Sequence, residues 1–410
     1  MTHHRRLSGW IGSGTNPCIC PICCIIPPHM AEQIVRNGDH QQQAWAMQTL
    51  IASEQFRGRR DAIGGIATFA VPAGEKRRTI YDATSGVELP GSPVRREGEP
   101  PTGDLAVDEA FDGAGATYDL FQQVFERNSI DNRGLRLDST VHYGEQYENA
   151  FWNGSQMVYG DGDGQLFNRF TAAIDVIGHE LTHGVTQYEA GLVYNGESGA
   201  LNESMSDVFG IMVKQWAKNQ TVDQSTWMIG EGLLTERVNG TGIRSMKAPG
   251  TAYDDPVLGK DPQPAHIKDM YKGTADNGGV HINSGVPNYA FYLAAMEMGD
   301  YAWKKAGRIW YIALRDRLRQ RSNFKRAATV LVAIAGDLYG IDSPEQKAVR
   351  YAWETVGVLA LAKPPAPPKP TEPSSPDSIS TPEPARKKPT SNPRPKSSKK
   401  TKSNKPQKKG

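Results

Sequence analysis

The sequence predicts an α+β fold in two lobes, a strand-rich one followed by a helical one. Three observations lead there. Short β-branched and aromatic runs, bounded by turn residues, fill the stretch from about residue 78 to 164. From about Phe170 onward, apolar residues recur at helical spacing. Residues 66–362 have the composition of an ordinary globule, while both ends depart from it. The 410 residues suit two or three domains. The expected divisions are an N-terminal prosegment over 1–66, a first lobe over 67–188, a second over 189–362 and a tail over 363–410.

In chain order, the first feature is the run Cys18-Ile19-Cys20-Pro21-Ile22-Cys23-Cys24, which holds all four cysteines. Four cysteines in this length exclude a disulfide scaffold. Arg5 and Arg6 precede the run, but no apolar stretch follows them that would make a secretory signal. Ile25-Ile26-Pro27-Pro28 is held extended by its prolines. A helical stretch from about Met30 has Ile34, Trp45, Met47, Leu50 and Ile51 as apolar positions. Arg57-Gly58-Arg59-Arg60 is basic and glycine-broken, a protease-accessible stretch. Strands are expected at 78–82, 140–143 and 156–160, a helix at 106–125, and a turn at Asp161-Gly162-Asp163-Gly164.

Residues 363–410 contain 13 Pro, 13 Lys or Arg and 3 acidic residues, about +10, which leaves about −8 on the rest of a chain whose net charge is +2. With one strongly apolar residue, Ile379, and no aromatic, this tail cannot bury enough surface to order itself. It is expected to be a disordered spacer that is available to an anionic surface. Without aromatics for base stacking, specific nucleic-acid recognition is not expected. No apolar run reaches membrane-spanning length.

The chemistry concentrates in Asp175-Val176-Ile177-Gly178-His179-Glu180-Leu181-Thr182-His183. On a helix, residues i and i+4 share a face, so His179 and His183 point the same way, spaced to hold one zinc ion. Glu180, rotated about 100° from the first ligand, is placed to take a proton from a zinc-activated water. The alternative is a pair of ordinary helix histidines. A catalytic zinc site needs a third protein ligand and an open position. In Ala200-Leu201-Asn202-Glu203-Ser204-Met205-Ser206-Asp207 the apolar residues mark a buried helix, on which two charges four apart need partners. Glu203 as third ligand and Asp207 as acceptor for a ligand-histidine N–H satisfy both. His281 stands in a Gly- and Asn-rich loop, Asp276-Asn277-Gly278-Gly279-Val280-His281, and taken alone reads as structural.

These segments, together with Asn149-Ala150-Phe151-Trp152, Gly191-Leu192-Val193-Tyr194, Ile243-Arg244-Ser245-Met246 and Gly279-Val280-His281-Ile282-Asn283-Ser284-Gly285, resemble the thermolysin-like neutral metalloproteases, in the family's order and over roughly 78–358. The Ile-Pro-Pro segment is similar to the protealysin branch, which has a short propeptide. The resemblance implies a two-lobed zincin with the zinc helix in the cleft between the lobes. It implies one catalytic Zn2+ on His179, His183 and Glu203, with Glu180 as the base. It further implies His281 and Tyr194 as oxyanion donors, with Asp276 orienting His281. Asn149, Ala150 and Arg244 are implied to hold the substrate backbone. Phe167, Phe170, Val176 and Ile243 are implied to line an apolar pocket after the scissile bond, which favours large hydrophobic residues there. Peptide or protein substrates, self-processing, an N-terminal segment that inhibits until it is cut, and a monomer follow in the same way.

Lys214 stands where secreted members carry a calcium-bridging carboxylate, so a double calcium site is not expected; Asp175 leaves a single Ca2+ open. Three readings of Cys18, Cys20, Cys23 and Cys24 remain: a thiolate that occupies the open zinc position, a separate metal site, or a reduced segment that covers the cleft. Export by a non-classical route follows from the resemblance. A cytoplasmic location, suited to four free thiols, is the alternative. A third reading, an inert scaffold whose tail does the work, is opposed by the presence of Glu180, His281 and Tyr194.

Overall fold

A computed structural model of the chain describes residues 24–59 and 74–360, the side chains of 52–59 excepted. Cys18, Cys20, Cys23, the expected processing stretch beyond residue 59 and the 363–410 tail lie outside the described residues.

The β-branched and aromatic run Arg78–Asp82 forms β1. It pairs antiparallel with β2 (Ser92–Arg96) and parallel with β3 (Leu137–Val141). Pro93 is tolerated in β2 because that strand is an edge of the sheet. With β4 (Ala150–Trp152) and β5 (Met157–Tyr159) the sheet has the order β2-β1-β3-β5-β4. The strand expected at 140–143 begins and ends earlier, since His142 adopts φ +53° and stops it. β4 is the other edge.

Helix α3 (Leu105–Phe125) is capped by Asp104, whose side chain accepts the N–H groups of Ala106 and Val107. It buries Ala110, Phe111, Ala114, Leu120 and Phe121. The expected N-terminal helical stretch is two helices, α1 (Pro28–Asn37) and α2 (His40–Arg59). They part at Gly38-Asp39, where Asp39 Oδ1 accepts the N–H groups of Gln41 and Gln42 and starts the second helix.

The zinc-motif segment is α4 (Ile174–Tyr188), buried on every face from Asp175 to Thr186. Beside it runs α5 (Gly196–Ala217). Gly210 sets their separation: a Cβ there would stand 2.5 Å from the Asp175 carbonyl oxygen and 3.1 Å from the His179 nitrogen. Two short strands, β6 (Met228–Ile229) and β7 (Arg244–Ser245), pair antiparallel. The helical lobe continues through α6 (Ala275–Asn283), α7 (Gly285–Met298), α8 (Ala306–Ile312), α9 (Phe324–Tyr339) and α10 (Pro344–Thr355). One apolar cluster runs through both lobes and includes the fully buried Trp152, Trp227, Trp310 and Trp353. Each such large side chain contributes roughly 1.5–3 kcal/mol relative to exposure. No described helix is long and apolar enough to cross a membrane.

Lys214, on α5, extends its ammonium to Asp175 Oδ2 at 2.9 Å, the Met228 carbonyl at 2.6 Å and Glu231 Oε2 at 3.1 Å. Burial would lower its pKa, but Asp175 and Glu231 outweigh that and raise it. A fixed cation thus ties the start of α4 to the last turn of α5.

Candidate active site

Successive turns of α4 place His179 and His183 on one face, their Nε2 atoms 3.0 Å apart. Glu203, on α5, brings Oε1 to 3.4 Å from His183 Nε2 and Oε2 to 3.6 Å from His179 Nε2. All three side chains are buried. His179 Nδ1 donates to Asp207 Oδ1 at 2.8 Å. His183 Nδ1 lies 2.9 Å from Asn202 Oδ1 and 3.0 Å from Ser206 Oγ. With both Nδ1 protons directed outward, the Nε2 lone pairs converge on each other and on a carboxylate. That arrangement repels itself unless a cation sits between the groups. The three separations are about the edge length of a tetrahedron around an ion with ~2 Å bonds, and Glu203 Oε2 has no hydrogen-bond partner of its own. The donor set therefore fits zinc, and among the described residues it is the metal-ligating group of three or more such side chains.

Asp207 is the hub behind the ligands. It accepts from His179, from Arg244 Nε at 2.9 Å and Nη2 at 2.8 Å, and from Asn288 Nδ2 at 2.8 Å. Burial alone would raise its pKa, but Arg244 and His179 hold the carboxyl well below the usual range. Glu180 Oε2 accepts the Trp152 backbone N–H at 3.1 Å, which anchors the carboxylate against β4.

Helix α6 opens with Asp276, Asn277, Gly278 and Gly279 at positive φ, in keeping with the Gly- and Asn-rich loop expected there, and His281 sits on the regular turn that follows. Its Nδ1 donates to Asp276 Oδ1 at 2.6 Å, and its backbone N–H donates to Asp276 Oδ2 at 2.9 Å. Burial lowers the pKa of His281, and Asp276 and Glu203 more than reverse that. His281 Nε2 lies 3.0 Å from the Tyr194 hydroxyl, which donates to Glu203 Oε1. Phe167, Phe170, Val176 and Ile243 are all buried in the main apolar cluster, the two phenyl rings 5.8 Å apart.

Asn149, Ala150 and Arg244 face the N-terminal segment. Ile25 and Ile26 enter the main apolar cluster, and Cys24 buries its side chain among Tyr143, Tyr147, Phe151 and Val158. Of the four cysteines, Cys24 is thus placed with its thiol outside the metal-ligating group. Sequence reasoning missed Asn202, Ser206, Asn288 and Trp152. The first two were within sight, since they are polar residues on the buried helix that carries Glu203. The Trp152 contribution is a backbone N–H and carries no side-chain signal.

Residues 80–187 match the family model described as thermolysin metallopeptidase, catalytic domain, and residues 190–358 the one described as thermolysin metallopeptidase, alpha-helical domain. The chain is 51% identical over 339 residues to an extracellular metalloprotease of Pectobacterium carotovorum subsp. carotovorum, a match that covers 82% of this chain and 97% of the relative. It is 46% identical over 342 residues to protease PrtS of Photorhabdus sp. (strain Az29), covering 82% of this chain and 91% of that one. Among solved structures it is similar to the precursor of protealysin, a metalloproteinase from Serratia proteamaculans. The TM-score is 0.76 and the identity 53%, with 82% of this chain and 100% of that chain covered. With the fold, the zinc-fitting donor set and these matches together, the chain belongs to the thermolysin family and is a zinc metalloendopeptidase.

Proposed function

We propose that this enzyme cuts peptide bonds that precede large hydrophobic residues, and that it is made as a zymogen whose N-terminal segment fills the cleft. The observation that supports this reading is that Tyr194 donates to Glu203 and His281 Nε2 lies 3.6 Å from Glu203 Oε2, while Glu180 follows the ligand His179 on α4 and is anchored by the Trp152 N–H. Zinc, when bound, supplies a Lewis acid that activates water and polarises the carbonyl. Glu180, oriented by the Trp152 N–H, takes the proton of the attacking water and passes it to the leaving nitrogen. His281 and Tyr194 donate to the oxygen on which charge develops, a contribution of about 3–4 kcal/mol for a single such donor. Asp276 holds the imidazole proton and orientation needed for that task. Asn149, Ala150 and Arg244 bind the substrate backbone, and Asp207 fixes both Arg244 and His179.

Phe167, Phe170, Val176 and Ile243 are all apolar and buried, and a pocket that they line would not reward a charged side chain, which supports the apolar preference. The extracellular relative and the protealysin precursor support secretion of a zymogen, with a cytoplasmic role as the alternative. The Lys214 ammonium holds Asp175 Oδ2 at 2.9 Å, which supports the reading without a calcium pair there and leaves a single Ca2+ open. The decisive experiment is Glu180→Gln. It should abolish cleavage of a peptide with an apolar residue after the scissile bond while one equivalent of zinc stays bound by metal analysis. Undiminished cleavage would exclude this mechanism.

A further inference from the structure

The N-terminal segment does more than block the cleft, because it lies there in the direction and register of a substrate. Cys24 forms an antiparallel bridge with Phe151 on the free edge of β4. The Ile25 N–H donates to the Ala150 carbonyl at 3.2 Å, and the Ile25 carbonyl accepts from Arg244 Nη1 at 3.1 Å. The Ile26 N–H donates to Asn149 Oδ1 at 3.0 Å. These contacts leave the Cys24 carbonyl oxygen 3.1 Å from His281 Nε2, the group assigned above to the developing oxyanion. The residue that follows that carbonyl, Ile25, is large, apolar and fully buried, which meets the preference read from the pocket. The first proline after that carbonyl is Pro27, so the Ile25 nitrogen carries a hydrogen and can leave as an amine.

We infer that the Cys24–Ile25 peptide bond is a self-cleavage site of this zymogen. The inference rests on the endopeptidase reading above. Water adds to the Cys24 carbonyl carbon and Glu180 takes one of its protons. The bond from that carbon to the Ile25 nitrogen then breaks, and the proton passes to the nitrogen. One water is consumed, its second proton also ends on the nitrogen, and the products are a carboxylate at Cys24 and an ammonium group at Ile25.

The cut removes all four cysteines with residues 1–24. It does not free the cleft. Ile25 and Ile26 retain their contacts with Ala150, Arg244 and Asn149, and Ile26, Met30 and Ile34 remain buried in the core. Processing is therefore a two-step sequence: an early cut that trims the cysteines without activation, and a later one beyond α2 that releases inhibition.

The test uses the full chain, purified under chelation and then given zinc. Intact mass, N-terminal sequence and cleavage of an external apolar peptide are followed together. The expected result is a new N-terminus at Ile25, formed with a first-order rate constant that does not change across a dilution series, before external cleavage rises. Ile25→Asp should slow this cut about a hundredfold, since a charge would have to enter an apolar pocket. In case that variant misfolds, a synthetic peptide of residues 19–31 offered to trypsin-activated enzyme should be cut between Cys24 and Ile25. If the N-terminus stays at Met1, or the cut falls at another bond within 1–36, while trypsin-activated enzyme cleaves the external peptide, the inference is overturned and the endopeptidase reading survives. If trypsin-treated, zinc-loaded protein cleaves nothing, both are overturned.

Discussion

Asp207, fully buried, is charged only because Arg244 and His179 offset its desolvation, and this makes it the most informative single residue to change. Asp207→Asn keeps the shape but weakens the acceptor for His179 and leaves the Arg244 guanidinium without its counter-charge. Zinc affinity should fall about 10–100-fold by chelator competition. An unchanged affinity would remove Asp207 from the metal site. Glu148 is a second case. It is buried with both carboxylate oxygens unpartnered, and its backbone N–H donates to the Thr49 hydroxyl of α2. Burial first, and then the charge of Asp163, raise its pKa from 4.5 to about 8. A folded-state pKa above the unfolded one gives stability that is complete below about 4.5 and lost as pH rises through about 8. In a Glu180→Gln background, which prevents autolysis, the thermal midpoint should fall between pH 5 and 8, and Glu148→Gln should flatten that slope; equal slopes would refute the assignment. At this scale the zinc ligands were legible because metal chemistry demands fixed spacing on a helix. Asn202 and Ser206 were not, because a neutral polar side chain on a buried helix signals a partner without saying which.

At the scale of elements, one buried cation ties two helices together. Lys214 on α5 neutralises Asp175 at the start of α4 and also holds Glu231 and the Met228 carbonyl. Lys214→Met removes the cation and strands a buried carboxylate, at a cost of about 3–5 kcal/mol. The thermal midpoint of the variant should drop by several degrees, and that of the parent should not respond to added calcium. A calcium-dependent midpoint in the parent that Asp175→Asn abolishes would show that Asp175 binds the ion despite Lys214. The same residue shows what a sequence can reveal about an element. A lysine among apolar neighbours announces a buried partner, but the carboxylate that answers it lies 39 positions away. Strand limits and helix breaks were harder to read. β3 stops where His142 turns to positive φ, and α1 and α2 divide where Asp39 caps the second helix, both local choices that apolar periodicity does not register.

For the whole molecule, the order of the lobes was legible because every expected strand precedes about Phe170 and helical spacing dominates after it, whereas the register of the N-terminal segment was not. That register rests on contacts such as His281 to Cys24, 257 residues apart, and no local pattern encodes which carbonyl meets the imidazole. The same reasoning separates the catalytic body from the tail. The family match ends at residue 358, and the unit that contains the described residues ends at Leu361. Residues 363–410 carry about +10, and the remainder about −8. A chain ended after Leu361 should therefore keep its thermal midpoint, its processing rate and its kcat/KM on an uncharged peptide. What it should lose is attraction to a surface of opposite sign. Full-length protein should bind vesicles of anionic phospholipid at low ionic strength and be released as salt shortens the range of the interaction, while the shortened chain, net negative, should not bind at all. A fall in thermal midpoint on truncation would instead mean that the tail packs on the enzyme. Equal binding by both chains would place the anionic contact on the catalytic body.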